Sequence, residues 1–226
     1  MKKTKKKLKI DWKSKLIDLL IVVIGISIAF QLNNINEAKK TKVKEKDYLK
    51  SFYEENRDNE SDFSLALEDV LKTKNDIDSL KKILLSKDYL NDKITNLTAS
   101  MMALTDFHPS LITMENITAS GDFELISDFE FREQLIDTYN SYQTTAQLEN
   151  ILSDYVNQYV TPFFFENVRF SDFSSLKENF IKKPEFENIV LGYDALLTQK
   201  LKGYKENIEK LKKLNQLLTT TNSAYN

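Results

Sequence analysis

The stretch NNINEAKKTKVKEKDYLKSFYEENRDNESDFSLALEDVLKTKNDIDSLKKILLS, Asn33–Ser86, holds neither glycine nor proline. Its apolar residues recur at sevens, at Leu49, Phe63, Val70, Ile77 and Leu84, with Asn56 interrupting the series. Phe52, Ala66 and Leu80 fall three residues after members of it. Each helical residue turns the chain by about 100°, so these spacings bring all of them onto one stripe. The stretch predicts a long helix with a heptad-like seam. Two kinds of burial satisfy such a seam: packing inside a bundle, or a coiled coil with a second copy of the chain. A polar residue at a seam position, here Asn56, is a means of fixing register in either case.

Composition extends this reading to the whole chain. Only 4 of the 226 residues are glycine and 3 are proline. Folds of many strands need turn residues every few positions, whereas long helices need few, so the expected class is all-α. A shorter helix is expected over Asp92–Leu104. In TDFHPS, Thr105–Ser110, Pro109 disfavours helix at His108, and Ser110 is placed to cap the next helix. That helix should end at Gly121, a natural left-handed position. Asp128 opens a long amphipathic helix to Val160, with Leu135, Ile136, Tyr139, Tyr142, Leu148, Ile151, Leu152, Tyr155 and Tyr159 on or beside its buried face, and Pro162 ends it. Residues 163–183 read as aromatic and irregular, with Phe163, Phe164, Phe165, Phe170, Phe173 and Phe180. Pro184 suits the first turn of a last helix to Thr220, followed by a disordered tail, 221–226. Three long helices and two short ones predict an antiparallel bundle.

Charge divides the chain. Residues 1–50 carry 14 Lys against 5 acids, and the remaining 176 carry 18 basic against 29 acidic residues. A basic segment of this kind meets an anionic surface, either nucleic acid or phospholipid. The apolar run LIDLLIVVIGISIAFQL, Leu16–Leu32, abuts the basic start MKKTKKKLKIDWKSK and points to lipid rather than nucleic acid. Seventeen helical residues reach roughly 25 Å, a little short of a hydrocarbon core. Snorkelling Lys13 and Lys15, interfacial Trp12 and local thinning make up the difference. The eight Lys before the span outnumber Lys39, Lys40, Lys42, Lys44 and Lys46 after it, which places the N-terminus inside. The expected organisation is a basic cytoplasmic start, 1–15, a transmembrane helix, 16–32, and an extracytoplasmic helical domain, 33–220, in a bacterial inner membrane. A signal peptide cut after Ala29 is the competing reading.

VVIGISIAFQLNNINE, Val22–Glu37, resembles the N-terminal signature of a Bacteroidetes domain-of-unknown-function family of single-pass membrane proteins. In that family a VVIGI-type core runs into an Asn-Asn-Trp-Asn-Glu-type exit, and Ile35 stands here at the Trp position. TMENITASGDFELISDFEFREQLIDTYNSY, Thr113–Tyr142, is similar to the family's central segment. Together the two stretches cover about a fifth of the chain and fall in the family's order. The resemblance implies a retained anchor and transfers no activity, cofactor or catalytic residue.

Asp18, Val22, Gly25, Ala29 and Asn36 share a narrow sector of the span helix. Gly25 and Ala29 form a small-xxx-small pair of the sort that lets two helices approach, so this face is the candidate helix–helix contact. Asp18 suits headgroup water and the positive end of the helix dipole. Chemistry is sparse elsewhere. The chain has one His, His108, and no Cys, too few ligands for a zinc site. The Glu-x-x-His pairs of a di-iron bundle, a Gly-x-Ser-x-Gly elbow and phosphate-binding glycine loops are all missing from the sequence. Acids cluster at Glu54, Glu55, Asp58, Glu60 and Asp62, and again at Asp122, Glu124, Asp128 and Glu130, where they read as solvated faces. The expectation is a non-enzymatic envelope protein with no cofactor or metal. Its expected partners are membrane lipid, another envelope protein, and a second copy through the span or the seam, but not nucleic acid. The alternative is an extracytoplasmic accessory that senses a ligand and works with a signalling partner.

Overall fold

The computed structural model describes residues 12–171, 174–177 and 179–224. Most of the basic start, Phe173, and Tyr225 and Asn226 of the expected tail lie outside them. Among the described residues six α-helices follow in order: α1 Trp12–Leu85, α2 Ile94–Ala99, α3 Ile112–Ser120, α4 Phe129–Tyr155, α5 Thr161–Asn167 and α6 Pro184–Ala224. Among the described residues there is no strand, only one isolated antiparallel bridge between Val168 and Ser175. The fold is all-α, as composition predicts. The chain forms two compact units, Met1–Asp47 and Tyr48–Asn226.

The second unit is built on α4, α6 and the Tyr48–Leu85 part of α1. Every seam residue, Leu49, Phe52, Phe63, Ala66, Val70, Ile77, Leu80 and Leu84, is buried within a single chain. The seam is filled by the chain's own helices. Asp137 pairs with Lys210, Glu149 with Tyr204, and Tyr155 with Ile189, so α6 runs antiparallel to α4. Phe52 meets Phe131 while Phe63 meets Tyr142, so α1 and α4 run the same way. Two helices running the same way cannot be joined by a tight turn, and the segment carrying α2 and α3 supplies the return.

Local chemistry sets several boundaries. Asp128 caps α4 by accepting from Phe131 N at 3.0 Å. Gly121, at φ 72°, ends α3 in the left-handed region where a Cβ is penalised. Pro184 opens α6, which continues to Ala224, past the expected end at Thr220.

Three boundaries depart from expectation. The helix expected over Asp92–Leu104 is only α2 and a 3-10 turn, Ser100–Met102, after which Ala103 is extended. Pro162 does not end the α4 run: it sits in the first turn of α5. A π turn, Val156–Val160, precedes it, in which Thr161 N donates to Val156 O, five residues back. The widened turn relieves the clash and the lost donor that proline imposes on a regular helix. Ser110 does not cap α3, because its N–H donates to Asn59 Oδ1 at 2.8 Å and its hydroxyl reaches Glu55.

Candidate functional site

In the first unit, the twelve large apolar side chains from Leu16 to Leu32 are each between 50% and 66% exposed. A helix on the surface of a soluble bundle hides one face, whereas this one is apolar on all sides and hides none. Among the described residues it is the one helix long and apolar enough to cross a membrane. The hydroxyl of Ser27 donates to Val23 O at 2.8 Å, so this polar group is satisfied inside the helix and needs no water. Asp18, Val22, Gly25, Ala29 and Asn36 are all exposed on α1, and the unbroken helix keeps them in one sector. A Cβ placed on Gly25 would meet nothing within 4 Å.

The second unit spends its polar groups on holding its connections to the long helices. Glu55 of α1 accepts from Thr113 N at 2.8 Å, from the Thr113 hydroxyl at 2.9 Å and from the Tyr139 hydroxyl. A carboxylate from another helix thus takes the capping place at the start of α3, where backbone N–H groups lack partners and the helix dipole is positive. Burial first, and then the Glu55 charge, push the Tyr139 hydroxyl well above the usual tyrosine range. Tyr139 therefore stays a hydrogen-bond donor.

Glu149 of α4, 4% exposed, accepts from Phe107 N at 2.9 Å and from the Tyr204 hydroxyl. Lys200 of α6, 1% exposed, donates to Thr105 O and to Asp106 Oδ1, the latter at 2.9 Å. The two long helices therefore clamp residues 105–107 with one acid and one base. The clamp seats Phe107 against Phe63, ring centroids 3.5 Å apart. The sequence reading missed Glu149 and Lys200. Their only signal was a charged residue at a position whose helical neighbours, Leu152 and Leu197 among them, are apolar.

The first acidic cluster is only partly a solvated face. Glu54, Asp58 and Asp62 are exposed, but Glu55 turns inward, and Glu60 accepts from Asn215 of α6 at 2.8 Å. Of the second cluster, Asp128 is a cap and Asp122 accepts from the Tyr48 hydroxyl at 2.8 Å. Lower on the bundle, Asp194 of α6 lies between Lys74, at 3.0 Å, and Lys81, at 2.5 Å. Burial opposes ionisation of Asp194, yet the two ammonium groups outweigh it and hold the carboxyl below the usual range. Burial likewise opposes the charge on Lys74, and Asp78 and Asp194 together raise its pKa.

His108 is exposed on the loop, at the edge of an open groove of about 790 Å³ between α3 and α4. Met114, Ile136 and Tyr139 form much of its floor. Among the described residues, no group of three or more His, Cys, Asp or Glu is placed to hold a metal ion. No family model, no curated protein and no solved structure matches this chain.

Proposed function

We propose that the chain is a single-pass envelope protein of a bacterial inner membrane. In this reading Met1–Lys15 is cytoplasmic, Leu16–Leu32 stays in the bilayer, and the helical bundle works outside the cytoplasm as a non-enzymatic interaction module. The all-round exposure of twelve large apolar side chains on one helical segment carries the reading, because only a hydrocarbon surrounding makes that arrangement favourable. The lysine excess before the span supports the orientation. The resemblance of Val22–Glu37 and Thr113–Tyr142 to the Bacteroidetes family of single-pass proteins supports the same topology, and we propose membership of it.

Support for an interaction role comes from how the bundle uses its polar groups. Glu55, Glu149, Lys200 and Asp194 all have partners inside the fold, so each serves the scaffold. Membrane lipid is the first partner. Another envelope protein is the second. The sector of Gly25 and Ala29 is the surface offered to a second copy within the bilayer.

Topology is tested with alkaline phosphatase fused after Asn226, which is active only when exported. High activity, together with a membrane-bound chain whose N-terminus precedes Ala29, is the expected outcome. An inactive fusion alongside an active cytoplasmic reporter at the same position would overturn the orientation. A mature chain starting after Ala29 would overturn the anchor.

A further inference from the structure

The second unit contains a cavity of about 120 Å³ beside α2 and α5. We propose that it is a binding site for a small uncharged apolar molecule of about the size of benzene. Ile94, Met102, Phe164, Val168, Phe180 and Ile181 give it an apolar wall. Four of these, Ile94, Phe164, Val168 and Phe180, are 8% exposed or less, so the wall belongs to the core.

Of the three polar side chains that line the space, Thr95 is exposed, and the other two spend their hydroxyl protons inside the fold. Thr98 gives its hydroxyl proton to Ile94 O at 2.6 Å, and Ser175 gives its own to Lys177 O at 2.6 Å. A water molecule confined there would lack the two to four polar partners it needs, and a charged ligand would lose its solvation without replacement. An apolar molecule loses nothing and gains dispersion contacts. The volume is close to that of apolar protein cavities of roughly 150 Å³ that stay dry and take up benzene. It is well below the roughly 300 Å³ at which sites for larger ligands begin, which sets the size class.

Backbone contacts lie beside the walls. The Ser100–Met102 turn packs on the π turn Val156–Val160. Beyond α5, Arg169 N donates to Ser174 O and Leu176 N to Asn167 O, both at 2.8 Å, fixing the wall that carries Val168. Thr95 and Ala99 of α2 line the cavity and are exposed, which makes their side the route of access in this proposal.

The test uses the full chain in lipid nanodiscs with methionine methyl groups labelled for NMR, benzene as the probe and aqueous benzene concentration as the variable. Saturable movement of the Met102 methyl signal, with Met114 in the α3–α4 groove unmoved, is the expected result. Ala99→Phe and Thr95→Trp fill or close the mouth from exposed positions. In whichever of them keeps the helical melt of the parent, affinity should weaken at least about tenfold. Benzoate, the same ring with a charge, should leave Met102 unmoved. Absence of saturation at Met102, equal movement at Met114, equal binding of benzoate, or unchanged affinity in a folded filling variant would each overturn the site.

Discussion

Helix α1 carries two apolar populations that differ in how they are arranged around its axis. From Leu16 to Leu32 apolar side chains occupy every side and all are exposed. From Leu49 to Leu84 the seam residues form one stripe, and that stripe is buried, while Leu65 off the stripe is exposed. Backbone and hydrogen bonding are the same in both stretches, so neither explains the contrast. The difference teaches that helical period reports the solvent: a stripe means water on one side and protein on the other, and its loss means one medium all round. Asn56 belongs to the second regime and is fully buried at a seam position, where the first regime has no seam to interrupt.

The contrast breaks most visibly if the first population is charged. Ile24→Arg together with Ile28→Arg puts two guanidinium groups into the middle of the span, at a cost of about 2.5–3.5 kcal/mol each. The double variant should move from the membrane pellet to the soluble fraction under carbonate extraction, while the thermal melt of the bundle is unchanged. The same kind of damage in the second population should do the reverse. Phe63, fully buried against Phe107 and Tyr204, should lose about 3–5 kcal/mol of bundle stability as Phe63→Ala, seen as a large drop in Tm with membrane retention intact. Phe30→Ala, on the exposed side of the comparison, should leave that Tm where it was. A fall in Tm with Phe30→Ala would mean that Phe30 packs into the bundle and would erase the distinction.

What was readable in the sequence follows the reach of each signal. The seam was legible because its period is a property of neighbours three and seven apart, and the caps at Asp128, Gly121 and Pro184 because each acts on its own turn. Pro162 misled because a break at proline is also a local rule, and the π turn that absorbs it gives no local sign. Ser110 misled for a different reason. Glu55, far away on α1, outcompetes it at the start of α3. Gly192 reads as one scattered glycine of four, yet a Cβ there would overlap the Tyr155 ring, so its smallness is required by a contact from α4. The cavity was not legible, since its wall is gathered from α2, α5 and two loops. Pairings across long separations leave no period, and the clamp by Glu149 and Lys200 is of that kind.

That clamp gives a smaller effect than the aromatic core. Glu149→Leu removes the acceptor of Phe107 N and the charged acceptor of the Tyr204 hydroxyl, leaving one buried donor unpaired and the other with only Thr105 O at 3.4 Å, at about 1–3 kcal/mol. Hydrogen exchange should rise first at residues 105–107 and leave the α1 amides before Asp47 unaffected. Faster exchange in the span would mean that the two stretches of α1 are energetically coupled.

The smallest effect concerns charge on the buried side of α1. Asp194→Asn leaves Lys74 and Lys81 facing a neutral amide and should cost about 1 kcal/mol, a modest figure because both lysines retain some water and Asp78 remains beside them. The sign with pH follows from the direction of each shift. Asp194 has a folded pKa below its unfolded value of about 3.9, so its contribution is complete above that value and is lost as pH falls through the folded one. Lys74 has a folded pKa above about 10.4, so its share is complete below that value and is lost only as pH rises through the raised one. The Tm difference between parent and Asp194→Asn should therefore be flat from about pH 5 to pH 9 and shrink towards pH 3. A difference that grew on acidification would show that desolvation, rather than the two ammonium groups, controls Asp194. It would also show that the buried stretch of α1 carries its lysines at a net cost.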